Sequence, residues 1–216
     1  RYGDQRSFFY AYSIIETDNA SFLTGGGSYD VENRIKRFIV TLLNNDGEEI
    51  WQRDYGEGTC HAVIELKSGE FMLAGSARDS PQLLLIDGDG DVIWRETYEL
   101  NSSTFMSLRE TEGGAVACGI LAVELVKVNA ENGEIIWSES YDVNITGVCE
   151  MTSTTDGGFA LALYSQGRGN NWGLFKVDGE GQRVWERYYE DNNEDDKWAT
   201  GLARLNDGGF AMVGRE

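Results

Sequence analysis

One proline, one histidine and three cysteines in 216 residues leave several kinds of chemistry with little to build on. The lone His61 can supply only one nitrogen to a zinc site. Cys60, Cys118 and Cys149 contain no Cys-x-x-Cys and cannot all pair within one chain, so no disulfide framework is encoded. Each lies in an apolar, strand-like run, where a free thiol reads as a small buried hydrophobe; an oxidising compartment would allow one disulfide. No run of about 18 apolar residues exists, so no membrane-spanning helix is expected. Positive charge is also scarce. Asp and Glu number 37 against 18 Lys and Arg, a formal charge of -19, and only five of the basic residues are lysines. Such a field repels phosphate, which excludes nucleic acid and anionic membrane surfaces as partners. Acid excess with little lysine is the surface of a salt-adapted or simply very soluble protein. The chain opens on Arg1 with neither Met nor an apolar leader, which suggests a processed or excerpted chain.

Glycine and aromatics are plentiful, with 27 glycines and 12% Phe, Trp and Tyr, as many short strands joined by tight turns require. One pattern recurs: a turn closed by glycine, one or two apolar residues, then tryptophan. Asn45-Asp46-Gly47 leads to Trp51, Asp89-Gly90 to Trp94, Asn132-Gly133 to Trp137, and Glu180-Gly181 to Trp185. The tryptophans are 43, 43 and 48 residues apart. A period in the low forties with strand patterning predicts an all-β fold, a β-propeller of four-stranded antiparallel blades. The four tryptophans are then structural, docking blade on blade.

Read as one domain over 1–216, the chain holds about five blades, near 4–55, 56–98, 99–141, 142–189 and an incomplete 190–216. In the first repeat the four strands fall at 10–17, 21–25, 37–43 and 49–55. The run Phe38-Ile39-Val40-Thr41-Leu42-Leu43 is apolar enough to predict cover on both faces. The second repeat opens with a separate strand over 62–66. The last repeat supplies two strands, Trp198 to Leu205 and Phe210 to Gly214, without the Trp-bearing outer strand. A half blade exposes an edge. It is accounted for by a cut from a longer propeller, by residues 1–9 pairing with the last strand, or by a neighbouring molecule completing the blade.

The segment from Val126 to Trp137 is similar to the tryptophan motif of PQQ-like propeller repeats, and Asp156-Gly157-Gly158-Phe159 and Asp207-Gly208-Gly209-Phe210 resemble loosely defined repeats of bacterial and archaeal extracellular proteins. The resemblance covers nearly the whole chain. It implies a propeller in which each Trp docks on the neighbouring blade, and an extracellular or cell-surface location. No cofactor pocket of the quinone-binding type maps onto this sequence.

Two of the four connections in each repeat are short and uniform, and the other two vary and end on the same propeller face. The longest span 26–36, 76–82, 165–171 and 190–197. A rigid disc with one variable-loop face is the usual plan of a binding surface. There Arg168, Asn170, Asn171, Trp172 and Trp198 combine ring planes with polar donors suited to a sugar, although a Trp that opens a strand also serves as core. The loop with Asp191, Glu194, Asp195 and Asp196 has the oxygens to hold Ca²⁺, or is simply solvated. The alternating carboxylates Asp87, Asp89 and Asp91 read as a turn. No catalytic residue is identified, since no serine or acid is spaced to commit His61 as a base. Asn19, Asn101 and Asn144 head Asn-x-Ser/Thr glycosylation patterns. The expectation is a non-enzymatic binding or structural module, acting through its loop face on a glycan or protein partner or by self-association. The alternative is a carbohydrate-active enzyme or lectin-like glycan binder.

Overall fold

The computed structural model describes residues 7–111, 115–120, 123–143, 147–164, 172–189 and 198–215, and for 115–120, 149, 198 and 215 the backbone alone. Every regular element among them is a strand. The chain divides into two compact units, Arg1–Leu108 and Arg109–Glu216.

In the first unit seven strands neighbour one another in chain order. They are β1 (Ser7–Glu16), β2 (Phe22–Asp30), β3 (Ile35–Leu43), β4 (Glu49–Glu65), β5 (Phe71–Ala77), β6 (Ser80–Ile86) and β7 (Val92–Thr97). All pairings are antiparallel. The expected break between a strand over 49–55 and another over 62–66 does not occur. β4 stays paired without interruption while changing partner: Glu57 lies opposite Arg37 of β3, and the next residue, Gly58, lies opposite Ala77 of β5. One strand therefore closes the first repeat and opens the second.

Side-chain alternation decides what this unit buries. Leu23, Phe38, Val40, Leu42, Trp51, Val63, Leu73 and Leu84 share one core. β5 and β6 are buried on both faces nearly end to end. β3 is not. Phe38, Val40 and Leu42 are buried, whereas Ile39, Thr41 and Leu43 are only partly covered and line a groove with Phe9, Tyr10 and Gly26. The expected two-faced cover of this run is therefore met on one face. Ser7–Phe9 belong to β1 and pair with Ser28–Asp30, so these three join the first repeat rather than the last.

The strand β8 (Phe105–Glu110) crosses the division between the units. With β9 (Ala115–Ile120), β10 (Glu124–Asn129) and β11 (Ile135–Ser140) it makes a four-stranded sheet. A second is built from β12 (Gly147–Ser153), β13 (Phe159–Tyr164), β14 (Trp172–Val177) and β15 (Arg183–Tyr189). β16 (Trp198–Arg204) and β17 (Phe210–Arg215) form a two-stranded sheet. The core of this unit gathers Leu125, Val148, Met151, Phe159, Leu161 and Phe175.

A single device starts each Trp-bearing strand. Asn44 and Asp87 each accept two backbone N–H groups, two and four residues on, and Asp178 does the same. Asn129 accepts the N–H of Glu131. A short side chain that mimics the backbone folds the turn before the strand begins. In Asp87-Gly88-Asp89-Gly90-Asp91 the Asp87 carboxylate thereby folds the turn, with the backbone N–H groups of Asp89 and Asp91 as its donors.

Candidate functional site

The first unit carries a cavity of about 420 Å³. It is built where the β2–β3 hairpin tip, the β5–β6 hairpin tip, the crossover of β4 and the segment before β8 come together. The two hairpin tips lie inside connections expected to be long loops, 26–36 and 76–82. Most of those residues are strand instead, because β2 and β3 stay paired as far as Asp30 and Ile35, and β5 and β6 as far as Ala77 and Ser80. Only 31–34 and 78–79 are left as turns. The Asp30 carboxylate organises the first by accepting the N–H groups of Glu32 and Asn33 and the Asn33 amide.

Both tips present an arginine with left-handed backbone: φ is 57° at Arg34 and 53° at Arg78. A side chain larger than glycine pays roughly 1–2 kcal/mol for that conformation. The equivalent tip after β9 has Val123 at φ 54°, so the bend is common to the repeats while the positive charge is not.

Arg78 is held in place. Its Nε donates to Oε2 of Glu57 at 2.6 Å, and its backbone N–H donates to the Glu57 carbonyl at 3.2 Å, tying the hairpin tip to the β4 crossover. Arg34, Lys36 and Asp79 also line the cavity, and among the described residues none of the three takes part in an ion pair. Two unpaired cations thus face one unpaired carboxylate, a locally positive site on a chain of charge -19.

The wall of the cavity is aromatic. The rings of Tyr12 and His61 lie 4.7 Å apart, tilted by 33°. Tyr12 remains 59% exposed, so its ring is open to a ligand. Burial, and then the nearby charge of Lys36, bring the His61 pKa down to about 4, which keeps the imidazole neutral at pH 7. Its Nδ1 is buried without a hydrogen-bond partner among the described residues. Hydroxyls of Thr59, Ser76, Ser103 and Thr104 complete the lining. Cations, hydroxyls and one open ring suit the binding of a polar, negatively charged molecule. Among the described residues His61 makes no hydrogen bond to a hydroxyl or carboxylate that would form an acid–base pair.

Of the residues singled out from the sequence, Arg168, Asn170, Asn171, Asp191, Glu194, Asp195 and Asp196 lie outside the described residues. Trp172 begins β14 opposite Tyr164 and is half-buried, with its Nε1 buried and unpartnered among the described residues. Trp198 begins β16, where the backbone alone is described. No cluster of three metal-ligating side chains occurs among the described residues. Sequence reasoning passed over Tyr12, Arg34, Lys36 and Arg78. The available signal was arginine at a hairpin tip, where a bend of this hand favours glycine or asparagine.

Two of the repeated tryptophans, Trp51 and Trp137, rest on a neighbouring turn. Trp51 is buried, and Trp137 packs against the core of the second unit. The rings of Trp185 and Phe210 meet edge-on at 6.3 Å. A tyrosine four residues after Trp completes the arrangement: the hydroxyl of Tyr55 donates to the Gly90 carbonyl at 2.8 Å, and that of Tyr141 to the Gly181 carbonyl at 2.6 Å.

No protein-family model matches the chain, and no curated protein is similar to it in sequence. Solved structures are similar in fold. The WD40 β-propeller domain of Doa1 matches 70% of this chain at 16% identity with a TM-score of 0.53. The WD40 domain of Pan2 from Neurospora crassa matches 83% at 9% identity with a TM-score of 0.60. The chain covers 47% and 50% of those two chains, about half of each. A protein of unknown function from Bacteroides caccae aligns over 84% of this chain at 13% identity, with a TM-score of 0.43. With the antiparallel four-stranded sheets, the two WD40 similarities place the chain in the β-propeller fold.

Proposed function

We propose that this protein is a non-enzymatic binding module of the cell exterior or cell surface, and that it takes a polar, anionic ligand into the cavity between its β2–β3 and β5–β6 hairpin tips. The observation that carries the reading is the pair Arg34 and Lys36: cations without an ion-pair partner among the described residues, in a cavity of an otherwise strongly acidic chain. The frame beneath them is rigid, since both tips cap fully paired hairpins and Arg78 is tied to Glu57. The backbone beneath these charges is fixed by the paired hairpins, so the freedom lost on binding is mainly that of the two side chains. The exterior location rests on the likeness of the Trp and Asp-Gly-Gly-Phe repeats to PQQ-like and extracellular propellers, and on the exposed glycosylation-pattern residues Asn19 and Asn101.

A fragment screen followed by ¹H–¹⁵N NMR tests the reading. Anionic fragments are expected to shift the amides of Arg34, Lys36, Thr59 and Arg78 together. If no member of a library containing small acids, sugars and capped peptides moves those amides, the proposal fails.

A further inference from the structure

We infer that the ligand of this cavity is a carboxylated sugar, a hexuronate residue whose carboxylate meets Arg34 and Lys36 and whose ring lies on Tyr12. The inference rests on the binding reading above and narrows it to one ligand class.

Charge comes first. Arg78 is neutralised by Glu57, which leaves Arg34 and Lys36 against Asp79. That balance accommodates a single negative charge. It disfavours a doubly charged phosphate, or a sulfate whose oxygens are all acceptors, since either would confront the carboxylates of Asp79 and Glu57 as like charges. A uronate differs in kind: it has one carboxylate for the two cations and several hydroxyls to donate to the carboxylates. The lining matches this on its other side as well, because the hydroxyls of Thr59 and Ser76 both donate and accept.

The ring comes second. Tyr12 is braced by Tyr10 edge-on at 5.2 Å and by His61 at 4.7 Å, yet most of its surface is open. An aromatic ring braced by two neighbours and still more than half exposed can offer surface to the apolar C–H face of a pyranose. The imidazole behind it stays neutral at ordinary pH, so it adds no charge. An acidic peptide fits less well, since extended peptides are usually held through a strand edge, whereas side chains and turn residues form this cavity.

The test titrates the whole protein with methyl β-D-glucuronide, methyl β-D-glucoside, acetate, a capped aspartyl dipeptide and a tetragalacturonide, followed by ¹H–¹⁵N NMR. The glucuronide is expected to shift the cavity amides and to bind about tenfold more tightly than the glucoside, the effect of one charge-assisted hydrogen bond. Its affinity should fall as salt rises. Arg34→Gln with Lys36→Gln should erase the difference between the two glycosides, and Tyr12→Ala should weaken both. All three residues are exposed, so an unchanged urea midpoint verifies folding. Tighter binding of the tetragalacturonide identifies a polysaccharide as the source, and equal binding identifies a free or terminal sugar acid; both support the inference. Equal binding of glucuronide and glucoside, acetate as effective as the glucuronide, or tighter binding of the dipeptide overturns it. The last two would leave the anion-binding reading standing. Silence of the cavity to every probe, including the fragment library, would remove both.

Discussion

The indole Nε1 of Trp51 donates to the carbonyl oxygen of Gly88, 3.1 Å away and 37 residues along the chain. Beside this bond Tyr55 donates to Gly90, and the Arg53 guanidinium donates to the Asp89 carbonyl at 3.0 Å while lying over the Trp51 ring. Three side chains of one outer strand thus grip the turn of the next repeat. In the second unit the Gly181 turn is gripped by Trp137, Glu139 and Tyr141 in the same way.

The grip leaves no room at the turn glycines. Gly181 has φ +81°, and a Cβ there would lie 2.9 Å from the Trp137 ring. Gly47 has nearly the same φ, +79°, with open space around it. Gly47→Ala should therefore cost only backbone strain, about 1 kcal/mol, whereas Gly181→Ala should cost about 2–4 kcal/mol because the ring must also move. Urea midpoints of the two variants test the order; equal losses would refute the docking argument.

Burial raises the Tyr55 and Tyr141 pKa values well above the ordinary phenol range. In the unfolded chain both ionise near pH 10. Their contribution to stability is therefore complete below pH 10 and is lost as pH climbs above it. Tyr55→Phe should lower stability at pH 7 by about 0.5–1.5 kcal/mol through the lost hydrogen bond. It should also flatten the alkaline decline. Urea unfolding from pH 8 to 11 reads both effects.

His61 is the only histidine, so its imidazole signals in an NMR titration need no assignment strategy. Its folded pKa, about 4, lies below the unfolded value near 6.5. The unfolded chain takes up the proton first, so stability should fall as pH drops from about 6.5 towards 4. His61→Phe should remove that slope while keeping a ring beside Tyr12. A midpoint that titrates near 6.5 in the folded protein would contradict the buried, neutral imidazole.

Arg34 is exposed and strained in a left-handed bend without an ion pair to compensate among the described residues. Arg34→Gly should raise stability by about 0.5–1 kcal/mol and weaken the binding of anionic probes. Arg78→Ala should change stability by less than about 1 kcal/mol, because Arg78 is 79% exposed in its pair with Glu57. A large loss in either variant would make these arginines structural.

Much of the fold was legible in the residues. The Trp-to-Trp period and the glycine turns set the strands well enough that Trp198–Arg204 ends one residue short of the expected 198–205, and Phe210–Arg215 runs one residue past the expected 210–214. The failures have local causes. The expected break between the strands at 49–55 and 62–66 fails because β4 exchanges one ladder partner for another there, which no local pattern reports. The 26–36 segment is expected as a loop, yet Gly26 and Gly27 sit in the ladder: a Cβ on Gly26 would lie 2.0 Å from the Tyr10 carbonyl. The cavity was the least legible part. Arg34, Lys36, Arg78 and Tyr12 come from two strands and two turns, and only the pairing registers bring them together.

The grip of Trp51 and Tyr55 on the following turn has an evolutionary consequence. This interface and the one at the Gly181 turn are both encoded by the end of one repeat and the turn of the next, so one period of sequence carries a complete set of both halves. Duplication or loss of a whole period would join a familiar gripping strand to a familiar turn, with no new surface to invent. The number of repeats is thus free to drift by recombination between similar segments, and a period can itself lengthen, from 43 to 48 residues between tryptophans, while the gripping strand and its turn keep their pattern.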